Sequence, residues 1–106
     1  MVVRITQAQQ QALGRSYRSR LARAIALENG RPDLEPQISA YIDEGLAAGV
    51  ELDDDLHGFC RLLLEVDSAG KRPPALAARL ADPDVEGELK VLQMQGAWID
   101  YLEQFR

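Results

Sequence analysis

The sequence predicts an all-α protein, a single-domain bundle of four main helices plus one short helix spanning residues 1–106. Three observations carry this. Apolar residues recur at spacings of three and four along most of the chain, and no stretch alternates apolar with polar as a half-buried strand would. Capping residues, glycines and prolines stand where helices should start and stop. At 106 residues, 46% apolar and 27% charged, the chain is long enough for one modest core and too short for two.

Thr6 followed by Gln9 is a capping-box pattern, and the helix it opens is predicted to run to about Asn29. Gly30 is placed for the left-handed position beyond the C-terminus. Leu13, Tyr17, Leu21 and Ala24 form the predicted apolar stripe. At 100° per residue Arg15 and Arg23 fall opposite it, with Arg18 and Arg20 on its flanks. These four arginines are either a solvated face or a binding face for a protein partner.

Arg31-Pro32-Asp33 breaks the chain, and Asp33 is expected to cap a second helix that tolerates Pro36 in its first turn. Ile38, Tyr41, Ile42 and Leu46 carry its apolar side, and Gly49 terminates it. Gly45, Ala48 and Gly49 make a surface of small residues that suits close packing. Asp53 is expected to cap the third helix, with Asp54 and Asp55 in the first turn where the helix dipole favours anions. Leu56, Phe59, Cys60, Leu63 and Leu64 then form an amphipathic face that ends at Gly70.

Lys71-Arg72-Pro73-Pro74 reads as a stiff linker into a short helix holding Leu76 and Leu80. Asp82-Pro83, an acid followed by proline, predicts the start of the last helix, which should reach Gln104. That helix has an unusually wide apolar surface. Val85, Leu89, Leu92, Gly96 and Ile99 fill one side. Val91, Met94, Trp98, Leu102 and Phe105 fill the next, leaving a narrow polar strip that includes Lys90. Either it is the central helix of the bundle or one side meets another chain. A homodimer through Met94, Trp98 and Phe105 is one expectation, and coverage of that side by the cationic first helix is the other.

The charge is uneven. Residues 1–32 hold six arginines against Glu28, whereas residues 33–106 hold six bases against sixteen acids, for a net charge of −5. Such a distribution suits electrostatic recognition of a protein. The sequence pI near 4.8 argues against general nucleic-acid binding. No apolar run approaches the ~20 residues a bilayer span needs. The first residues lack the apolar core of a secretory signal, so a cytoplasmic protein is expected.

No constellation looks catalytic, and none suggests a metal or a cofactor. His57 and Cys60 stand three apart, as a base and a nucleophile could, but no third orienting group is evident and Cys60 reads as a core residue. One histidine and one cysteine make a poor zinc set, and Asp53-Asp54-Asp55 lacks the spacing and glycine of a calcium loop. Trp98 is read as a core residue or as an interface anchor. The candidate partner-binding residues are therefore Arg15, Arg18, Arg20, Arg23, Asp53, Asp54, Asp55 and Trp98.

From Ile38 onward the order of residues is familiar. Ile38-x3-Ile42-x2-Gly45-Leu46-x-Ala48-Gly49-Val50 is followed by Leu52-Asp53-x-Asp55-Leu56-x2-Phe59-Cys60-x-Leu62-Leu63. Pro73-Pro74 and Leu80-Ala81-Asp82-Pro83 come next. This order resembles small helical proteins encoded beside type VI secretion spike and effector genes in proteobacteria. The resemblance implies a non-enzymatic accessory of an effector module, either an immunity protein or an adaptor that holds an effector before loading. The alternative is a regulatory or nucleic-acid-associated module using the basic first helix, and a small hydrolase is a third class.

Overall fold

The computed structural model describes the backbone of residues 7–105 and the side chains of residues 17–105. The described residues are all-α. Helices α1 (Gln7–Glu28), α2 (Glu35–Ala47), α3 (Asp53–Ser68) and α5 (Gly87–Glu103) are long, α4 (Pro74–Ala81) is short, and one 3₁₀ turn spans Pro32–Leu34. The Thr6–Gln9 capping box lies outside the described residues. Contacts divide the chain into two compact units, residues 1–39 and 40–106.

In the first unit, α1 ends as its glycine predicts. Gly30 has φ +69°, its N–H reaches the Leu27 carbonyl at 3.0 Å, and the Arg31 N–H reaches Ala26 at 2.9 Å. That pair of bonds satisfies two of the carbonyls a helix leaves open at its C-terminus. The apolar face differs from the predicted stripe. Leu21, Ala22, Ile25 and Ala26 are buried, Tyr17 is half-buried and Ala24 is exposed. A stripe through Leu21 and Ile25 gathers two large aliphatic side chains and two alanines, more apolar area than one ending on Ala24. Asp33 does not cap α2. Its carboxylate accepts two bonds from the Arg31 guanidinium, at 3.1 and 3.0 Å, and the residue lies inside the 3₁₀ turn.

In the second unit, α2 ends at Gly49 (φ +91°) with the Val50 N–H donating to Gly45 at 2.8 Å. Helix α3 begins one residue earlier than an Asp53 cap requires. Leu52 holds the cap position without a side-chain bond, and Asp53, Asp54 and Asp55 form the first turn. Its buried face is Leu56, Phe59, Cys60, Leu62, Leu63 and Val66, and Leu64, expected inside, is half-buried. The polar ties between elements centre on Arg72. Its guanidinium donates to Glu44 at 2.5 Å and to Asp67 at 3.1 Å, and the Tyr41 hydroxyl donates to Asp67 at 2.6 Å. The linker before α4 is thereby fastened to α2 and α3.

The last helix starts four residues later than predicted. Asp82 ends α4 rather than opening α5, because its carboxylate accepts the Asp84 N–H at 2.9 Å and closes a turn. Helix α5 begins at Gly87, where a β-carbon would collide with the Gly49 carbonyl and stand 2.9 Å from Val50 Cα. Only glycine permits that approach. Helix α5 then packs on α3 and α4.

Candidate protein-binding face

The rotation of α5 decides which of its two apolar sides is available. Val91, Met94 and Trp98 face inward, and Trp98 is 4% exposed with its indole N–H donating to Glu65 Oε2 at 2.9 Å. Trp98 is thus a core residue here and not a surface anchor. Of the three residues expected to pair in a homodimer, Met94 and Trp98 are buried within the chain and Phe105 is exposed. From Trp98 an aromatic ladder leads outward. Tyr101 stacks on it with centroids 5.4 Å apart, and Phe105 meets Tyr101 edge-on at 4.9 Å and is exposed.

Lys90 lies beside this core, 2% exposed, with Nζ donating to the carbonyls of Ala48 at 2.9 Å and Leu80 at 3.0 Å. Sequence reasoning placed it on the polar strip. A lysine can be inside when its ammonium reaches helix C-terminal carbonyls, and no sequence signal marks that.

The opposite side of α5 is open. Leu89, Leu92 and Ile99 stand at i, i+3 and i+10 with Gly96 between the last two, and Leu92 and Ile99 are 58% and 55% exposed. Leu102 is also exposed. The charged side chains exposed along the helix, Glu88, Asp100 and Glu103, are all acidic. Beside Gly96 runs an open groove of about 630 Å³ between α4 and α5, lined by Pro73, Pro74, Ala97 and Tyr101, with Arg79 and Asp100 among its polar residues. A row of exposed leucine and isoleucine rimmed by acids is the pattern of an interaction surface. Its members were legible as one side of a helix. Which of two apolar sides would be buried was settled by the larger side chains, Met94 and Trp98, and by contact at Gly87.

The other sequence candidates are distributed over both units. The side chain of Arg15 lies outside the described residues. Arg18 is half-buried, engaged in an interaction, and in line with Leu21 and Ile25 on the buried side of α1. Arg20 and Arg23 are exposed on the outer side, with Arg23 Nε 3.9 Å from Glu35 Oε2. Asp53 and Asp54 are exposed and Asp55 is half-buried. Among the described residues no group of three or more histidines, cysteines and acids is placed to hold a metal ion. No helix of the described residues is long and apolar enough to cross a membrane.

Cys60 is buried among apolar side chains, and desolvation pushes its thiol up to about 12. Such a thiol is protonated at neutral pH and is a poor nucleophile. His57 is half-buried and engaged in an interaction. Comparison of the chain with protein-family models, curated proteins and solved structures gave no match.

Proposed function

We propose that this chain is a non-enzymatic protein-binding accessory that docks other proteins on the outer face of α5. The observation that carries the reading is the row Leu89, Leu92 and Ile99, left in water on a helix whose other apolar side already fills the core. Each of these half-exposed side chains forgoes roughly half of the ~1.5–3 kcal/mol that full burial provides, which a docked protein recovers. Protonation of the Cys60 thiol supports a binding role over a nucleophilic one. The resemblance of the Ile38–Leu63 pattern supports the finer reading, an immunity protein or effector adaptor of a type VI secretion module acting in the cytoplasm.

Quantitative affinity capture from the native cell tests this with two baits, the wild-type chain and the Leu92→Glu/Ile99→Glu variant. The expected result is a spike or effector protein enriched on the wild type and lost from the variant. Equal capture by both baits would overturn docking on α5. Enrichment of proteins unrelated to secretion would overturn the finer assignment.

A further inference from the structure

We propose that the groove between α4 and α5 is a second binding site, and that it takes an extended peptide carrying an acid and a base. All of its lining lies within the second unit. The groove adjoins the leucine row at Gly96 but uses other side chains, so it goes beyond docking on that row.

Lys90, in the first turn of α5, reaches the Leu80 carbonyl near the end of α4, and the two helices pack along each other. They therefore run antiparallel. Arg79 stands toward the Gln93 end of the groove, and Pro73 and Pro74 stand toward Asp100. The lining between these ends is apolar, made by the two prolines, Ala97 and the ring of Tyr101. Gly96, where a β-carbon would meet nothing within 4 Å, keeps one wall low.

The polar groups on this lining are unused. Arg79 and Asp100 are exposed, and neither has an ion pair or hydrogen bond among the described residues. The last turn of α4 favours a cation, which accounts for the sign of Arg79 but leaves its guanidinium donors free. Gln93 Oε1 is buried without a partner. The residue as a whole is only half-buried, so a turn about its soft terminal torsion brings that oxygen to the groove.

These features select the ligand. Opposite charges at the two ends call for a ligand with both signs, and Asp100 repels the phosphates of a nucleic acid. Gln93 needs an N–H donor. A helix has used its N–H groups internally, whereas an extended chain offers them along its length. Asp100 lies about 10 Å beyond Gln93 along α5, a span of about three extended residues. The acid of the peptide faces Arg79 and its base faces Asp100, with apolar residues between them against Pro73, Pro74 and Tyr101.

Random linear peptides displayed on phage and selected on the immobilised full chain test this. Enriched sequences should carry an acid and a base about three residues apart. A labelled synthetic copy of the strongest should lose about tenfold in affinity, by fluorescence anisotropy, on Arg79→Glu and on Asp100→Lys. Gln93→Leu should also weaken it, with the urea midpoint unchanged or higher, because no acceptor is then buried without a partner. A peptide with its acid and base exchanged should bind the Arg79→Glu/Asp100→Arg variant and not the wild type.

No enrichment on the wild type would overturn the proposal, and so would enriched peptides that the groove variants bind as tightly as the wild type. Binding kept by the groove variants but lost on Leu92→Glu would move the peptide to the leucine row and leave docking there standing. Binding that follows Arg79 and Asp100 while cellular capture ignores Leu92 and Ile99 would keep the groove and remove the row.

Discussion

Lys90 donates from Nζ to the carbonyl oxygen of Ala48 at 2.9 Å, and the same ammonium reaches Leu80 at 3.0 Å. Both acceptors lie at helix C-termini, where carbonyls have no intrahelical donor and carry partial negative charge. One side chain from α5 thus completes the ends of α2 and α4, and its four-carbon stem fills space that a shorter polar residue would leave empty.

Lys90→Met keeps the stem and removes the donor. Two half-buried carbonyls then lose their partner beside a small pocket open to solvent, which puts the cost at the lower end of about 1–3 kcal/mol for each group left unsatisfied. We expect a loss of about 2–4 kcal/mol in urea unfolding, with the helical circular dichroism of the folded state unchanged. A loss under about 0.5 kcal/mol would mean that water replaces the ammonium.

Asp67 joins α3 to the rest of the second unit. Burial by itself would raise its pKa, but the hydrogen bonds from Arg72 and Tyr41 and the charge of Arg72 outweigh that and hold the carboxyl below its usual value. The Arg72 guanidinium is in turn raised, first by its bond to Glu44 and then by that to Asp67. A depressed folded-state pKa gives stability that is present above the unfolded carboxyl value, near 3.9, and is lost as pH falls toward the folded value. Stability should therefore fall as pH drops below about 4, and Asp67→Asn should flatten that part of the profile. Arg72→Ala should cost about 1–2 kcal/mol at neutral pH, since it breaks charge-assisted bonds that are only partly screened from water.

The parts of this fold that were legible in the sequence are those governed by local chemistry. Gly30, Gly49 and Gly70 mark helix ends and all have positive φ, because only a residue without a β-carbon takes that conformation cheaply. On α3 the period placed Leu56, Phe59, Cys60 and Leu63 on the buried face but took Leu64 for Leu62, because three consecutive leucines leave the edge of that face open. The misplaced features depended on distant residues. Asp82-Pro83 has the local signature of a helix start, yet the start is set by Gly87 against the Gly49 backbone. In α1, stripes through Ala24 and through Ile25 are both helical in period, and tertiary packing chose the second. The docking face followed the same logic. Leu89, Leu92 and Ile99 were recognisable as one side, but their exposure follows from the burial of Met94 and Trp98 on the other.

Gly45 and Gly58 should respond to alanine in opposite directions. A β-carbon at Gly45 would stand 3.0 Å from Leu56 Cδ2 and 3.1 Å from Phe59 Cδ1, tighter than most packed carbons, so both side chains would have to give by a few tenths of an ångström. Leu56 and Phe59 are both fully buried and have little room to give, so Gly45→Ala should cost about 1–3 kcal/mol. At Gly58 the nearest atom is Val91 Cγ1 at 3.6 Å, an ordinary contact. Gly58→Ala should therefore gain most of the helix propensity difference, about 0.5–1 kcal/mol. Thermal unfolding of the two variants beside the wild type separates them, and a shift in the same direction for both would contradict the packing at Gly45.

Cys60 gives a prediction that joins chemistry to stability. With its thiol near pKa 12 in the folded protein, only about one part in ten thousand is thiolate at pH 8, so an aromatic disulfide reagent should modify it only through unfolding. The labelling rate should therefore rise with urea in step with the unfolded population. The pH dependence has a definite sign. The folded state holds the proton more tightly than the unfolded chain, whose thiol titrates near 8.5, so stability is full below that value and declines as pH rises toward 12. Cys60→Ser removes that slope and costs about 1–2 kcal/mol for burying a hydroxyl among Leu56, Phe59 and Leu63. Partner capture by Cys60→Ser and by His57→Ala should match wild type at temperatures where both are folded. Rapid labelling of the native protein at pH 8, or loss of capture in a folded variant, would show that Cys60 has a role beyond packing.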